Sequence, residues 1–335
     1  MPVSIRDIAT RAGVSRGTVS KVLNGSPETI SEETKARVRQ AVEETGYAPN
    51  QLARSLGRRR TDTLGLMISG LQNPFFVEIM EQAERLALDA GYQVLVDAAP
   101  SSCGSYGDHG KMRGWPVDGV LMWASAGQRV GDYLGPQATG LPVVYLGHPG
   151  GDDRDAVLLD IHGGARMLAE WLHGRGYRRP AFAYPYPRQG EGGSDPRYRA
   201  YSGFFIEAGL PFEQITMARQ EETRAAGLET GLALAARAPA DRPDVVLCLN
   251  DVIAQGVYFG LRRAGLRVPQ DMAVVGFDGI EEAQWLDTPL TSVRLPVGEM
   301  CRQALDVLAR RMAAGASGPT EKILLPAILL PGGTA

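Results

Sequence analysis

The first 23 residues leave the chain little freedom. Ile5, Ile8, Ala9 and Ala12 recur at i, i+3, i+4 and i+7, which is one apolar face of an α-helix. Ser4 stands where an N-cap belongs, with Asp7 three residues on as a capping-box partner. Gly13 ends that helix and permits a tight turn. Ser15 can cap a second helix, in which Val19, Val22 and Leu23 face inward. Between the two apolar faces lie only Ala12, Gly13 and Val14. Two amphipathic helices joined through a short glycine turn form the helix-turn-helix pattern. A third helix is predicted from Ser31, burying Val38, Ala41 and Val42. Gly46 stops it, and Pro49 cannot continue it.

Charge sharpens this reading. The 335 residues carry a net charge of −3, but residues 1–60 hold 11 Lys and Arg against 6 Asp and Glu, for +5, which leaves the remainder at −8. A basic head on an acidic body implies that only the head meets a polyanion. On the second helix Arg16, Gly17, Thr18, Ser20 and Lys21 point away from the core. That exposed N-terminal end is the part a recognition helix pushes into the major groove. Arg and Lys can donate to guanine O6 and N7. Thr18, Ser20 and Asn24 suit phosphate oxygens, which position a protein without reading sequence.

Residues 13–17 also match the GxSxG nucleophile elbow. That elbow needs a buried strand before it, whereas here an amphipathic helix precedes Ser15. Asn50 can start and Gly57 can stop one further short helix, marginal by itself. Arg58, Arg59 and Arg60 then form a basic linker.

The runs Asp7-Ile8-Ala9, Ala12-Gly13-Val14-Ser15, Thr18-Val19-Ser20, Val22-Leu23-Asn24, Gly46-Tyr47-Ala48-Pro49-Asn50 and Ala53-Arg54-Ser55-Leu56 together resemble the lactose-repressor (LacI/GalR) family of bacterial transcription regulators. The resemblance implies base reading by Arg16, Gly17 and Lys21. It implies phosphate contacts from Ser4, Ser15, Thr18, Ser20, Asn24, Ser31, Thr34, Tyr47 and Asn50. It also implies a minor-groove hinge at Ala53 and Leu56, where a leucine wedge would unstack a base step and kink the duplex. Gly17 departs from the side-chain-bearing reader usual at that position.

The body alternates short apolar runs with helical segments. Strands are expected at Leu64–Ser69, Tyr92–Ala98, Gly119–Trp123, Leu141–Leu146, Pro180–Ala183, Val245–Leu249 and Ala273–Gly276. Helices are expected at Pro74–Gly91 and near 163–174, 252–264 and 296–314. Continuous rather than alternating apolar runs are the mark of buried parallel strands. The fold class is therefore α/β: an all-α helix-turn-helix head with a hinge helix, then two doubly wound lobes. The expected divisions are 1–49 for the head, 50–61 for hinge and linker, and 62–335 for the effector-binding and dimerisation domain. Asn73-Pro74-Phe75-Phe76, Asn250-Asp251 and Gly276-Phe277-Asp278 continue the resemblance into a periplasmic-binding-protein-like body with a ligand cleft between lobes.

A sugar in such a cleft needs carboxylates and amides for its hydroxyls and an aromatic ring for its C–H face. The resemblance assigns Asp278 and Asn250 to effector contact, Phe75 to the aromatic contact, and one arginine from Arg197 and Arg199, between which the spacing does not choose. Asp251, which opens a helix, is read as a structural cap. Trp285 either lines the cleft or packs in the second lobe. Glu222 and Leu146-Gly147-His148 depart from the family pattern, and Ser101–Pro116 lacks the helical pattern expected there.

Several classes are set aside. The three cysteines form no CxxC and the four histidines no HExxH, so no metal site is expected. No strand leads into a phosphate-binding glycine loop, so no nucleotide cofactor is expected. There is no apolar run of 18 residues and no signal-peptide h-region, so no membrane partner and a cytoplasmic location are expected. The reading that results is not an enzyme. It is a homodimeric regulator, a repressor by family default, that binds a pseudo-palindromic double-stranded operator under control of a small-molecule effector, a sugar or sugar derivative. The competing readings are a solute-binding module without a regulatory role and a hydrolase resting on GxSxG alone.

Overall fold

The computed structural model describes residues 3–23, 30–47, 60–98, 116–123, 140–147, 154–185, 195–314 and 318–335. The chain separates into two compact units, Met1–Thr61 and Asp62–Ala335.

The first unit holds α1 (Ile5–Ala12), α2 (Arg16–Leu23) and α3 (Glu32–Thr45). Each start is capped from the sequence. The Ser4 backbone N–H donates to Asp7 Oδ2 at 2.9 Å. Ser15 Oγ accepts from the Thr18 N–H at 3.0 Å, and Ser31 Oγ from the Thr34 N–H at 3.4 Å. Gly13 closes α1 at φ 63°, in the left-handed region where glycine alone carries no Cβ penalty. Ile8, Ala9, Ala12, Val19, Val38 and Ala41 form the buried core, with Val22, Leu23, Val42 and Tyr47 packed against it. Its large fully buried members are Ile8, Val19 and Val38, each contributing roughly 1.5–3 kcal/mol. A cap at about 1 kcal/mol is then a sizeable share of the unit's stability.

The second unit is built on two parallel sheets. The larger runs β11-β5-β4-β3-β1-β2, with β1 (Thr63–Ile68), β2 (Gln93–Ala98), β3 (Gly119–Trp123), β4 (Val143–Gly147), β5 (Ala156–Leu159) and β11 (Lys322–Leu325). The smaller runs β7-β6-β8-β9, with β6 (Pro180–Tyr184), β7 (Glu213–Thr216), β8 (Val245–Cys248) and β9 (Ala273–Val275). A short antiparallel pair joins β10 (Ser292–Arg294) to β12 (Ile328–Leu330). Burial on the larger sheet alternates between two cores. Leu64, Leu66, Leu121, Val144 and Val157 enter one, and Met67, Val120, Met122, Tyr145 and Ala156 the other. Both faces are therefore covered, which is why these strands read as unbroken apolar runs.

Helices α4 (Pro74–Asp89) and α9 (Val297–Ala314) pack together beside the larger sheet. The smaller sheet carries α5 (Ile161–Gly174), α6 (Pro196–Glu207), α7 (Arg224–Ala235) and α8 (Asp251–Arg263). The chain passes between the two lobes after Leu159, after Arg294 and after Leu325. One contiguous apolar cluster includes residues of both sheets, among them Leu66 and Val246.

α7 and α8 lie unusually close. A Cβ on Gly227 would stand 2.3 Å from the Ile253 carbonyl oxygen, and one on Gly231 2.4 Å from that of Val257. Reciprocally, Cβ atoms on Gly256 and Gly260 would meet the carbonyl oxygens of Arg224 and Leu228 at 2.2 and 2.4 Å. The two helices run side by side in the same direction, with glycine seated on glycine twice.

The strands and helices expected among the described residues are present, with ends unchanged or shifted by one or two residues; the short helix expected between Asn50 and Gly57 lies outside the described residues. The structure adds β5, β7, α6, α7 and β10 to β12, where the sequence pattern is short or lacks an amphipathic face. Residues 101–115 lie outside the described residues, as do Asn24, Asn50, Ala53, Leu56 and His148.

Candidate functional site

The head offers one exposed polar face. Arg16 opens α2, Gly17 follows, and Lys21 lies a turn on, all three exposed. Neither Arg16 nor Lys21 has a salt-bridge partner among the described residues, whereas Arg11 is tied to Glu44 at 2.7 Å and Lys35 to Glu32 at 2.7 Å. Thr18 and Ser20 are half-buried beside them. The hydroxyls of Ser15 and Thr18 bond each other at 2.9 Å, and Ser31 donates to Thr34 Oγ1 at 3.0 Å, so these four hydroxyls are pre-oriented by capping. Ser4 is exposed at the start of α1, and Tyr47 packs against the core. A Cβ at Gly17 would meet only Ser15 Oγ, at 3.6 Å. That is an ordinary contact, so the fold itself does not require glycine there. Ser15 lies between two helices and spends its oxygen on a cap, which removes the strand-to-helix elbow a GxSxG hydrolase needs.

In the body, polar side chains gather at the carboxyl ends of the strands, where open α/β sheets bind ligands. Asp278 follows β9. It is 7% exposed and sits at φ 106°, a strained position for a residue with a Cβ. Such strain costs on the order of 1–3 kcal/mol and clusters at functional sites. The crossover segment holds it there: the Asp278 N–H donates to the Val293 carbonyl at 2.9 Å and the Leu295 N–H to the Asp278 carbonyl at 3.1 Å. Its Oδ2 accepts from Asn73 Nδ2 at 3.0 Å. Asn73 caps α4 through its own Oδ1, so this one bond joins the two lobes. Burial pushes the Asp278 carboxyl up to about 7, against the pull of Asn73 and Arg197.

Arg197 and Asp195 are a largely enclosed pair, their side chains 17% and 11% exposed. Arg197 Nε and Nη2 grip Asp195 at 3.0 and 2.8 Å, and Nη1 donates to the Leu249 carbonyl at 2.9 Å. The guanidinium lies 5.4 Å from the centre of the Phe277 ring. Burial opposes both charges, yet the pair holds Asp195 below and Arg197 above their ordinary values. Asp195 also caps α6. That helix phase separates the two candidate arginines: Arg197 turns inward and Arg199 is exposed.

Asn250 caps α8 through Oδ1 and donates Nδ2 to Glu222 at 3.0 Å. Asp251 is wholly buried. It accepts from the Ile280 N–H at 2.8 Å and from Ser292 Oγ at 2.6 Å, which is a structural role. Burial and the neighbouring Asp278 hold its carboxyl well above the usual range. The Tyr201 hydroxyl, one turn after Arg197, is buried and has no hydrogen-bond partner among the described residues.

The aromatic contact takes a different form from the one expected. Phe75 is 2% exposed, its ring edge-on to Trp123 at 5.3 Å and to Phe76 at 5.4 Å. The half-buried ring of this trio is Trp123, at the end of β3. Gly147 makes room for it, since a Cβ there would stand 2.3 Å from the indole. Trp285 neither lines the cluster nor packs in the lobe: it is 79% exposed on a short 3-10 turn. Trp123, Asp195 and Asn73 were not singled out from the sequence, and Glu222 was noted only as a departure. The Asp195-Pro196 pair is the one signal that could have been read, because proline at N1 marks a helix start.

A compact three-helix head whose exposed Arg16 and Lys21 have no salt-bridge partner among the described residues, and a body of two parallel-sheet lobes whose strand ends share one polar cluster, point to a nucleic-acid reader joined to a ligand-binding domain. The chain belongs to the LacI family and is a DNA-binding transcriptional regulator. The bacterial regulatory protein (lacI family) domain matches residues 4–50, and the periplasmic binding protein-like domain matches 169–335. The HTH-type transcriptional regulator CelR of Thermobifida fusca is 31% identical over 325 residues, covering 95% of this chain and 94% of that one. The ribose operon repressor of Escherichia coli K12 is 30% identical, covering 99% of each. Among solved structures, a CelR–cellobiose complex superimposes with a TM-score of 0.67 at 29% identity, over 99% of this chain and 100% of that one. The Lac repressor dimer bound to operator and an anti-inducer shares the fold, with a TM-score of 0.81 at 22% identity over 100% and 99%.

Proposed function

We propose that this chain is a cytoplasmic, homodimeric repressor without enzymatic activity. It reads a pseudo-palindromic operator through Arg16, Gly17 and Lys21, and it answers to a sugar or sugar derivative held between its lobes. Division into a head at 1–49, a hinge at 50–61 and an effector and dimerisation domain at 62–335 fits this use. Ser4, Ser15, Thr18, Ser20, Asn24, Ser31, Thr34, Tyr47 and Asn50 fix the head on the phosphates. Leu56, supported by Ala53, opens the minor groove at the operator centre. Asp278, Asn250 and Arg197 orient the effector's hydroxyls, and Trp123, backed by Phe75, covers its C–H face.

One observation carries the reading. Asp278 is at once strained, buried and bonded across the lobes to Asn73. A ligand that takes the carboxylate from Asn73 acts on both lobes together. It can change operator affinity only by its differential affinity for the two lobe arrangements. The name of the ribose operon repressor and the cellobiose and lactose named in two similar structures support a sugar.

The test is to enrich operators from random DNA with the full chain, then titrate the complex with mono- and disaccharides. A twofold-symmetric site whose affinity a sugar changes tenfold or more, about 1.4 kcal/mol, is the expected outcome. Enrichment of no common sequence would overturn the regulator, and a complex indifferent to every sugar would overturn the effector class.

A further inference from the structure

Resting on the cleft reading above, we propose that the effector is an electrically neutral, hydroxyl-rich molecule, and that Asp195 sets this preference by saturating Arg197. An arginine in a ligand cleft ordinarily invites a carboxylate or phosphate, which its planar fork matches in a bidentate grip. Here that grip is taken. Nε and Nη2 are spent on Asp195, and Nη1 on the Leu249 carbonyl. Among the described residues of the cluster, three carboxyls (Asp195, Glu222 and Asp278) face the one guanidinium. The charges that act on Asp278 are Arg197, favourably, and Glu222, unfavourably. Among the described groups of the cluster, an incoming anion would meet more carboxyl than guanidinium, and partial enclosure strengthens repulsion between like charges.

The helix starts among the described residues of the cluster, which could favour an anion, are already capped by side chains. α7 and α8 begin side by side, and helix N-termini attract negative charge. Asn250 caps the start of α8, and the Glu222 carboxylate bonded to Asn250 stands beside it. What the cluster still offers is acceptor capacity. Asp278 Oδ1 has no donor among the described residues, its partner Asn73 being on Oδ2. A hydroxyl gives one hydrogen and takes another, so it can satisfy Asp278 without adding charge.

The test uses the full chain and matched probes. D-glucose, D-ribose, cellobiose and lactose are set against glucose 6-phosphate, ribose 5-phosphate and glucuronate, by thermal shift and then calorimetry. The expected result is a melting shift from at least one neutral probe and at least tenfold weaker binding of its acidic or phosphorylated counterpart. In Asp195→Asn, which keeps an N-cap acceptor for α6 but frees the guanidinium, that preference should shrink or reverse. A wild-type chain that binds a phosphate or uronate as well as the neutral sugar overturns the inference. If Asp278→Ala abolishes that anion binding, the cleft reading survives; if hits of either charge persist in Asp278→Ala, the cleft reading fails as well. A wild-type preference for neutral probes that Asp195→Asn leaves unchanged removes Asp195 from the explanation. A blank across all seven probes overturns the neutral-sugar class itself.

Discussion

The two polar faces of this chain are built in opposite ways. On the head, Arg16 and Lys21 stand in solvent without salt-bridge partners among the described residues. In the body, Asp195, Arg197, Glu222 and Asp278 are each held by a protein group before any ligand arrives. Exposed cations exchange small counterions for a polyanion, which gives reach and speed but little discrimination by itself. Enclosed, pre-paired groups discriminate, because a ligand that fails to replace a lost partner leaves a poorly solvated polar atom behind. A regulator needs both, and this chain keeps them in separate compact units.

The sharpest way to break the contrast is salt. Operator affinity should fall by roughly 10³-fold or more between 50 and 200 mM salt if six or more phosphates are neutralised. Effector affinity, measured by calorimetry over the same range, should change by less than about twofold, since buried groups are little screened. Equal salt slopes would put the ligand on an exposed surface.

The next largest effect is in pH. Asp278 has a folded-state value near 7 against an ordinary 3.8, so the folded chain binds more protons between those limits. Stability is therefore greatest below about pH 4 from this group and is lost as pH rises through 7, by a few kcal/mol at most. Urea unfolding at pH 5 and pH 8 checks this. Asp278→Asn should narrow the difference but not erase it, because the Asp251 carboxyl is raised too. A wild-type chain equally stable at both values would remove the effect.

Arg16→Ala should cost about 1–3 kcal/mol and relax preference at one base position. A uniform loss across all sequences would make Arg16 a phosphate contact instead. Gly17→Ala should leave stability within about 0.5 kcal/mol, given the room at that Cβ, while weakening operator binding. Unaltered binding would mean that the backbone need not come close there. The smallest effect is expected at Tyr201. Tyr201→Phe removes a buried hydroxyl without a partner among the described residues and should be neutral or stabilising by up to about 1 kcal/mol. A clear destabilisation would reveal a partner for that oxygen, such as a buried water.

How much of this was legible depended on the distance between cooperating residues. The head is local. Its helices follow from the spacing of Ile5, Ile8, Ala9 and Ala12, from Ser15 and Ser31 as caps, and from Gly13 and Gly46 as stops. Four strands of the larger sheet, β1 to β4, could be read as apolar runs; β5 and β11, only four residues each, could not. α7 could not, because Gly227 and Gly231 look like breakers until α8 is laid against them. The site divides in the same way. Asp278 and Asn250 sit at strand ends and could be named from the chain. The bond from Asn73 to Asp278 spans 205 positions and that from Asn250 to Glu222 spans 28, so no local pattern contains them. Arg197 and Arg199 differ only in helix phase, which was unknown until Asp195 marked where α6 begins.

The paired glycines of α7 and α8 act as a ruler. α7 starts just after Glu222 and α8 just after Asn250. Gly227 on Gly256 and Gly231 on Gly260 set the height of one helix against the other, and so the offset between these two side chains. At 1.5 Å per residue, the second contact lies about 10 Å along α7 from its start. A methyl group added there would be felt at the ligand as a misalignment between two hydrogen-bonding groups. Changes in effector preference should therefore arise in this seam as well as in the cleft wall, at positions that no ligand touches.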